Sequence, residues 1–439
     1  MLEYDNKLSD IVDNCISNAK KKGATDVEVG IVKNTAEVVS FRNKKLDESE
    51  RSENIGLSLT AYINKKKNSV SSSNLKNDNL EKLIDRCVEA AKITPEDENN
   101  SLPDEKLFFK NSEELDLFDE THLENDQKID YLKEAEEIAF QNKEIINTNG
   151  SSFSESKTEV VLGNSKGFKN GYKMSNFTAY CEVVSKNNGS MERDYEYTSK
   201  RHFEDLLKPS ELGLNAAKYA IRKLKPKKIN SGKFDIIFDK RISKNFLNYF
   251  SSAITGSSIY RGTSFLKEKL NKKIFSDSIN IVDRADIKRG NGSKYFDNEG
   301  VKIQNLFLVN NGLLNDYLID TYYGKKLNLN SNGRSGGTTN LYFENGKQDI
   351  KSLMNSNNKI FYVTETIGHG TNIVTGDYSL GAGGIMIENG EFAYPISEVT
   401  IAGNLNEMFK KMVLANDLEF NYSTNSPSIL IDNMTVAGK

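Results

Sequence analysis

Residues 384–396 read GIMIENGEFAYPI, an apolar run, an Asn-Gly pair at 389–390 and a second apolar run. Asn-Gly supplies the two positive φ angles of a type I′ turn, whose twist matches that of antiparallel strands, so the stretch predicts a β-hairpin. Working outward, the pair recurs in FLVNNGLLNDYLI (307–319) and at Asn345-Gly346, predicting two more. Eighteen of the thirty glycines lie after position 280. After one strand, FDIIF (234–238), and one helix, 241–255, residues 226–439 are therefore expected to form a glycine-rich, mainly antiparallel β domain. KPKKINSG (225–232) marks its boundary with a first domain, 1–225.

That first domain reads as α+β, with an antiparallel sheet and covering helices. Leu8, Ile11, Val12, Cys15 and Ile16 form a helical stripe over 4–22, ended by Gly23. Val27, Val29 and Ile31 alternate, and VVSF (38–41) and IGLSLTAYI (55–63) follow as strands. The charged run NKKLDESERSEN (43–54) reads as a long connection between them. A second helix, Asp78 to Ile93, carries Leu80, Leu83, Ile84, Cys87 and Val88 on one face. Residues 94–125, acidic and broken by Pro95 and Pro103, are expected to be a mobile connection. A helix at 126–142, polar strands at 157–162, 172–185 and 194–203, and a helix at 210–225 complete the half.

Several functions are excluded early. The 439 residues carry a formal charge of −3, with basic and acidic residues interspersed, so no direct nucleic-acid binding is expected. The N-terminus lacks a signal peptide's apolar region, and no apolar run approaches the ~20 residues that cross a bilayer. The expectation is a cytoplasmic protein with no membrane role. Cys15, Cys87 and Cys181 are far apart, odd in number and without a CxxC, which argues against disulfides and thiolate zinc; Cys15 and Cys87 read as buried small hydrophobes.

The stretch GHGTNIVTGDYSLGAGG (368–384) poses the functional question. A P-loop needs a lysine, and none occurs between Lys359 and Lys410; a dinucleotide fingerprint needs a third glycine where Ile373 stands. His122, His202 and His369 are each alone, so no metal site is predicted. GSSIYRG (256–262) has Tyr260 where a nucleophile elbow requires glycine. What remains is a flat, polar backbone that accepts an extended peptide by strand addition or packs against a partner subunit, or else a purely structural turn. The contact candidates are Thr375, Gly376, Asp377, Tyr378 and Ser379, with His369 and Arg261; no residue is assigned as catalytic.

VTGDYSLGAGGIMIENGEFAYPISEVTIAGNLNEMF (374–409) resembles the C-terminal part of the TldD/PmbA family, once labelled modulators of DNA gyrase, and within it the PmbA (TldE) branch. FDNEGV (296–301), the run 311–337, RGTSF (261–265) and ILIDNMTVAGK (429–439) match in order and spacing. In the TldD branch, HExxxH on a helix precedes an RxGTS-like segment, and a late cysteine completes a zinc site. By this resemblance Leu247 stands at the first histidine, Asn248 at the glutamate and Ser252 at the second histidine, and no cysteine follows Cys181. Leu offers no lone pair, and neutral Asn cannot take a proton from a bound water. The resemblance thus implies a chain without its own zinc or cofactor, paired with a TldD-type subunit that holds the zinc, or a homodimer when alone. Such a pair acts on unfolded or extended peptides, in peptide maturation and antitoxin turnover. Two alternatives stay open: a stand-alone peptide-binding or regulatory protein, and an atypical hydrolase using His369 with Asp377 or Glu365.

Overall fold

A computed structural model describes residues 4–111 and 113–439. The N-terminal half runs α1 (Asn6–Lys21), β1 (Asp26–Arg42), β2 (Lys45–Ile63), β3 (Lys66–Ser72), α2 (Asn77–Ile93), α3 (Asn125–Ala139), β4 (Ile145–Asn164), β5 (Lys169–Asn187), β6 (Ser190–Lys200) and α4 (Pro209–Ile221). Its six strands form one antiparallel sheet in the order β3-β2-β1-β4-β5-β6. Alternation decides which face is covered. Val27, Val29, Ile31, Leu57 and Leu59 meet α1 and α2, while Val39, Phe41, Phe153, Phe177 and Val183 meet α3 and α4. Cys15 and Cys87 are buried in the first of these cores, as their helical spacing predicts.

Two expectations for this half fail. The charged run 43–54 is not a connection. Only Asn43 and Lys44 turn, with φ of 50° and 64°, and the rest pairs with β1 through Asn34↔Asn54. Its strand is held by backbone ladders and cross-strand charge, as where Arg51 lies opposite Glu37 and Lys33 meets Glu53 at 3.2 Å, so it needs no apolar alternation. The acidic segment 94–125 is packed rather than loose, although Ser112 within it lies outside the described residues. Phe108, Phe109, Leu115 and Leu117 point inward against Leu162, Phe168, Tyr172, Tyr295 and Phe296 on the sheet's second face. Backbone bonds from Phe109 to Gly300 and from Arg289 to Leu115 tie it to the C-terminal half. The acidic residues that dominate its composition are simply the outward ones.

The C-terminal half contains β7 (Gly232–Phe238), α5 (Lys240–Ala253), α6 (Gly256–Arg261), β8 (Ile281–Arg284), β9 (Leu306–Asn310), β10 (Leu313–Leu314), α7 (Thr321–Leu327) and β11 (Asn340–Phe343). It continues with α8 (Ile350–Met354), β12 (Lys359–Ile367), β13 (Asp377–Glu388), β14 (Glu391–Asn404), α9 (Leu405–Lys411), β15 (Val413–Leu414), β16 (Thr424–Asn425) and β17 (Ile429–Ala437). One sheet has the order β10-β9-β8-β11-β16; the other, β14-β13-β12-β7-β17-β15, curls until β14 also pairs with β17. Both are antiparallel except at β11–β16 and β7–β12. α5 lies in the shared core with Phe238, Phe275, Phe361 and Phe409. Asn311-Gly312 and Asn389-Gly390 make the predicted turns, all four residues at positive φ. Asn345-Gly346 does not: a Cβ on Gly346 would fall 1.8 Å from the Leu414 carbonyl oxygen, so this glycine serves a close chain approach.

Candidate functional site

α5 begins at Asp239, whose carboxylate accepts from the Arg241 amide at 2.8 Å. Its apolar spacing turns Phe246, Leu247, Phe250 and Ala253 into the core and leaves Arg241, Lys244, Asn248 and Ser252 outside. Leu247 is wholly buried. Asn248 and Ser252 are exposed, and the Ser252 hydroxyl donates to the Asn248 carbonyl at 2.8 Å, within the helix. The three cysteines are buried in the N-terminal half. At the position where the resemblance implies a metal, the chain therefore offers a core leucine, a neutral amide and a helix-bonded hydroxyl. This donor set does not fit zinc.

Among the described residues, one group brings possible ligand atoms together elsewhere: Glu37, His122 and Glu155. The reading of His122 as isolated is thus corrected. The wholly buried ammonium of Lys128 lies 2.6 Å from Glu37 and 3.1 Å from Glu155, and fills the place a cation would take. It holds the Glu37 carboxyl below its ordinary range.

The outer face of α5 forms one wall of a cleft of about 490 Å³. The opposite wall is the end of the N-terminal sheet, where Tyr180, Tyr195 and Tyr197 stack in a ladder that Tyr422 extends. Successive ring centroids are 5.3, 6.1 and 5.0 Å apart. Lys244 reaches across, its Nζ 3.2 Å from the Tyr422 centroid and 3.2 Å from the Tyr197 hydroxyl. Burial, helped by Arg241, lowers its pKa to about 8, and it has no carboxylate partner among the described residues. Arg241 instead pairs with Asp194 at 3.0 Å, and Lys223 bridges Asp194 and Glu365 at 3.1 and 2.7 Å. Burial pushes the Asp194 carboxyl up, but the two cations outweigh it and leave the group below its ordinary value. The Thr364 hydroxyl in the cleft wall is buried without a hydrogen-bond partner.

The outward edge of β6 is stoppered. The Tyr195 and Tyr197 amides donate to the carboxylates of Asp194 and Glu196, and Arg241 and Asn291 donate to the Tyr195 and Ser199 carbonyls. A peptide cannot add to the sheet there without displacing these side chains. Nor can one add to β13, which carries Gly381, Gly383 and Gly384 and pairs on both sides. Strand addition over Gly381–Glu388 is thereby overturned; the first part of the stretch, 368–376, is the loop joining β12 to β13.

That loop begins two residues beyond Thr366 of the cleft wall, so it forms the rim. His369 is exposed, with no hydrogen-bond or ion-pair partner among the described residues. Thr375 and Asn404 donate to Asp377 at 2.6 and 3.1 Å, and these bonds hold its carboxyl below its ordinary value. Gly376, at φ 84°, is buried beneath Asn404 and Asn406, and Ser379 is exposed. Tyr378 turns inward and stacks on Phe246 at 5.8 Å, so it is not available for contact. The Phe265 amide donates to the Ile373 carbonyl, which brings the exposed Arg261 segment against the loop. Asp377 and Glu365 are engaged by Thr375, Asn404 and Lys223, and neither is bonded to His369.

Sequence reasoning missed the tyrosine ladder and Lys244. YEY at 195–197 carried a signal, since period 2 puts both rings on one face. Tyr180 and Tyr422 carried none.

Three family profiles match: PmbA/TldA metallopeptidase domain 1 over residues 27–91, the central domain over 118–224 and the C-terminal domain over 231–438. The chain is 34% identical over 437 residues to a metalloprotease PmbA homolog of Haemophilus influenzae, covering 99% of this chain and 97% of that one. It is 33% identical to metalloprotease PmbA of Escherichia coli O157:H7, covering 97% and 94%. A crystal structure from Bacteroides thetaiotaomicron, named as a candidate modulator of DNA gyrase, superposes with a TM-score of 0.93 at 29% identity, over 99% of this chain and 100% of that one. With its fold, its motifs and these relatives in agreement, the chain belongs to the PmbA/TldD metallopeptidase family.

Proposed function

We propose that this chain is a PmbA/TldE-like subunit that does not itself cut, and that a TldD-type partner supplies the zinc and the hydrolysis. The observation that carries the reading is Leu247, packed in the core where the resemblance implies the first histidine. In this reading the cleft beside α5 holds an extended peptide. The rings of Tyr195, Tyr197 and Tyr422 offer stacking surface, Lys244 offers an unpaired cation, and the loop 368–376 with Arg261 borders the partner. The substrate class is unfolded or extended peptide, as in peptide maturation or antitoxin turnover, and the setting is the cytoplasm. No helix among the described residues is long and apolar enough to cross a membrane.

The test is zinc content and cleavage of an unfolded peptide, for the chain alone and mixed with a TldD-type subunit. The expected result is no stoichiometric zinc and no cleavage alone, with a stable complex and activity on mixing. Cleavage by the zinc-loaded single chain would overturn the reading. A second reading, a stand-alone peptide-binding protein, is favoured by one observation: the cleft sets tyrosine rings beside an ammonium that has no carboxylate partner among the described residues. Peptide binding that persists while no TldD-type subunit forms a complex would select it.

A further inference from the structure

A second cleft, about 660 Å³, opens between the end of α4, the start of α5, α8 and the β13–β14 hairpin. Its walls are largely apolar: Met354, Tyr362, Ile385, Phe392 and Pro395 line it. Phe392 is 51% exposed and meets Tyr362 edge-on at 5.2 Å, so a large apolar surface faces solvent there.

The polar end of this cleft is unusual. Arg222 and Arg241 both lie over the Tyr219 ring, at 4.5 and 4.2 Å. The Nε and Nη2 of Arg222 are buried and have no hydrogen-bond acceptor, and Nη1 of Arg241 is in the same state. The carboxylates nearby are already taken. Asp239 accepts from the Tyr362 hydroxyl at 2.9 Å and from the Arg241 amide, while Asp417 accepts from Ser428 through its amide and hydroxyl at 2.7 and 2.8 Å. Glu391 is exposed at the rim. Burying donors without acceptors is costly, and Nε with Nη2 is the side-on edge of a guanidinium that receives both oxygens of a carboxylate.

We propose that this cleft binds the C-terminal residue of a peptide, its apolar side chain against Phe392 and Met354 and its carboxylate on Arg222, whose unpartnered edge is closed to solvent over Tyr219 in this structure and turns into the cleft as the carboxylate enters. The assignment does not rest on the partner-subunit reading, since every group involved belongs to this chain. The shared chemistry, an apolar group bearing a carboxylate, could also come from a free organic acid, and the test separates the two.

The experiment is calorimetric titration of the full chain with N-acetyl-Ala-Ala-Phe as the free acid, the same tripeptide as its amide, and 3-phenylpropionate. The free acid is expected to bind at least tenfold more tightly than the amide and than phenylpropionate. Arg222→Met should abolish the acid–amide difference, and Phe392→Ala, at a half-exposed position that does not endanger folding, should weaken acid and amide alike. Equal affinity for acid and amide, or no binding of the acid at millimolar concentration, would overturn the proposal. Phenylpropionate binding as tightly as the tripeptide would overturn the peptide terminus in favour of a free acid. Should Arg222→Met fail to fold, the acid–amide comparison in the unaltered chain and the Phe392→Ala result still decide.

Discussion

Replacing Lys244 with methionine should stabilise the protein at neutral pH and flatten its stability at alkaline pH. Lys244 is half-buried against Tyr197 and Tyr422, and burial lowers its pKa from 10.5 to about 8. Below pH 8 the amine is charged in both folded and unfolded chains, and its desolvation opposes folding in full. Between about 8 and 10.5 the folded chain releases the proton while the unfolded chain keeps it. The unfolded state then binds more protons, so stability rises with pH across that window. At about 1.4 kcal/mol per pH unit the full effect would be roughly 3 kcal/mol, and solvent screening at a half-buried site cuts it to about 1–2 kcal/mol. Methionine keeps the stem's packing but loses the cation over Tyr422, worth about 0.5–1 kcal/mol. The net gain at pH 7 should be near ~1 kcal/mol or somewhat below. Urea midpoints of both proteins at pH 7 and 9.5 measure it, and their difference cancels the titration of other groups. If the difference is the same at both pH values, or the variant is the less stable by a kilocalorie at pH 7, the account of Lys244 is wrong.

Three further outcomes are expected. Rebuilding the motif with Leu247→His, Asn248→Glu and Ser252→His should yield no stoichiometric zinc by metal analysis. It should also cost about 3–5 kcal/mol, because the first substitution trades a buried leucine for a buried polar ring. Lys128→Met leaves Glu37 and Glu155 without the buried cation between them, with only the more exposed Arg51 and Lys157 beside them, which should cost about 2–4 kcal/mol at pH 7. The difference from the unaltered chain should narrow as the pH falls, because Lys128 holds the Glu37 carboxyl below its ordinary range and that stabilisation is lost when Glu37 takes up its proton; thermal melts at pH 7 and at acid pH show it. Gly390→Ala should cost about 1–2 kcal/mol, since φ there is 82° and a Cβ would lie 2.1 Å from the Asn355 side-chain oxygen. Limited proteolysis at the β13–β14 turn should speed up accordingly.

The longer helices α1 to α5 and the β13–β14 hairpin were legible in the sequence because each is coded locally, while the short α6 to α9 were not. Asp239 caps α5, the spacing of Phe246, Phe250 and Ala253 sets its buried face, and Asn389-Gly390 fixes the register of β13 with β14. The elements that were misread depend on distant partners. Residues 43–54 become a strand because β1 lies beside them with complementary charges, although nothing in LDESERSEN alternates. The acidic segment 94–125 is held by Leu102, Phe108, Phe109, Leu115, Leu117 and Leu123 among many solvated side chains, and composition averages them away. Asn345-Gly346 has the letters of a turn but no second strand to receive it, and Leu414, nearly seventy residues on, decides its conformation.

The candidate site divides along the same line. That Leu247, Asn248 and Ser252 make a poor donor set for zinc follows from residue chemistry alone, but that Leu247 is a core residue follows only from the packing of α5. The distinction matters for what a substitution there would cost. A solvent-facing leucine could be exchanged for a ligand at little cost, whereas Leu247, in one core with Phe238 and Phe361, is bound into the stability of that half. The cleft lies against the exposed face of the same helix, the face that also carries Asn248 and Ser252. Arg241 and Lys244, one turn apart, meet tyrosines contributed by β5, β6 and the segment before β16. Leu247 on the buried face and Asn248 and Ser252 on the exposed one, in line with Lys244, thus split the motif positions between the core and the outer side of α5, and only the three-dimensional structure shows that split.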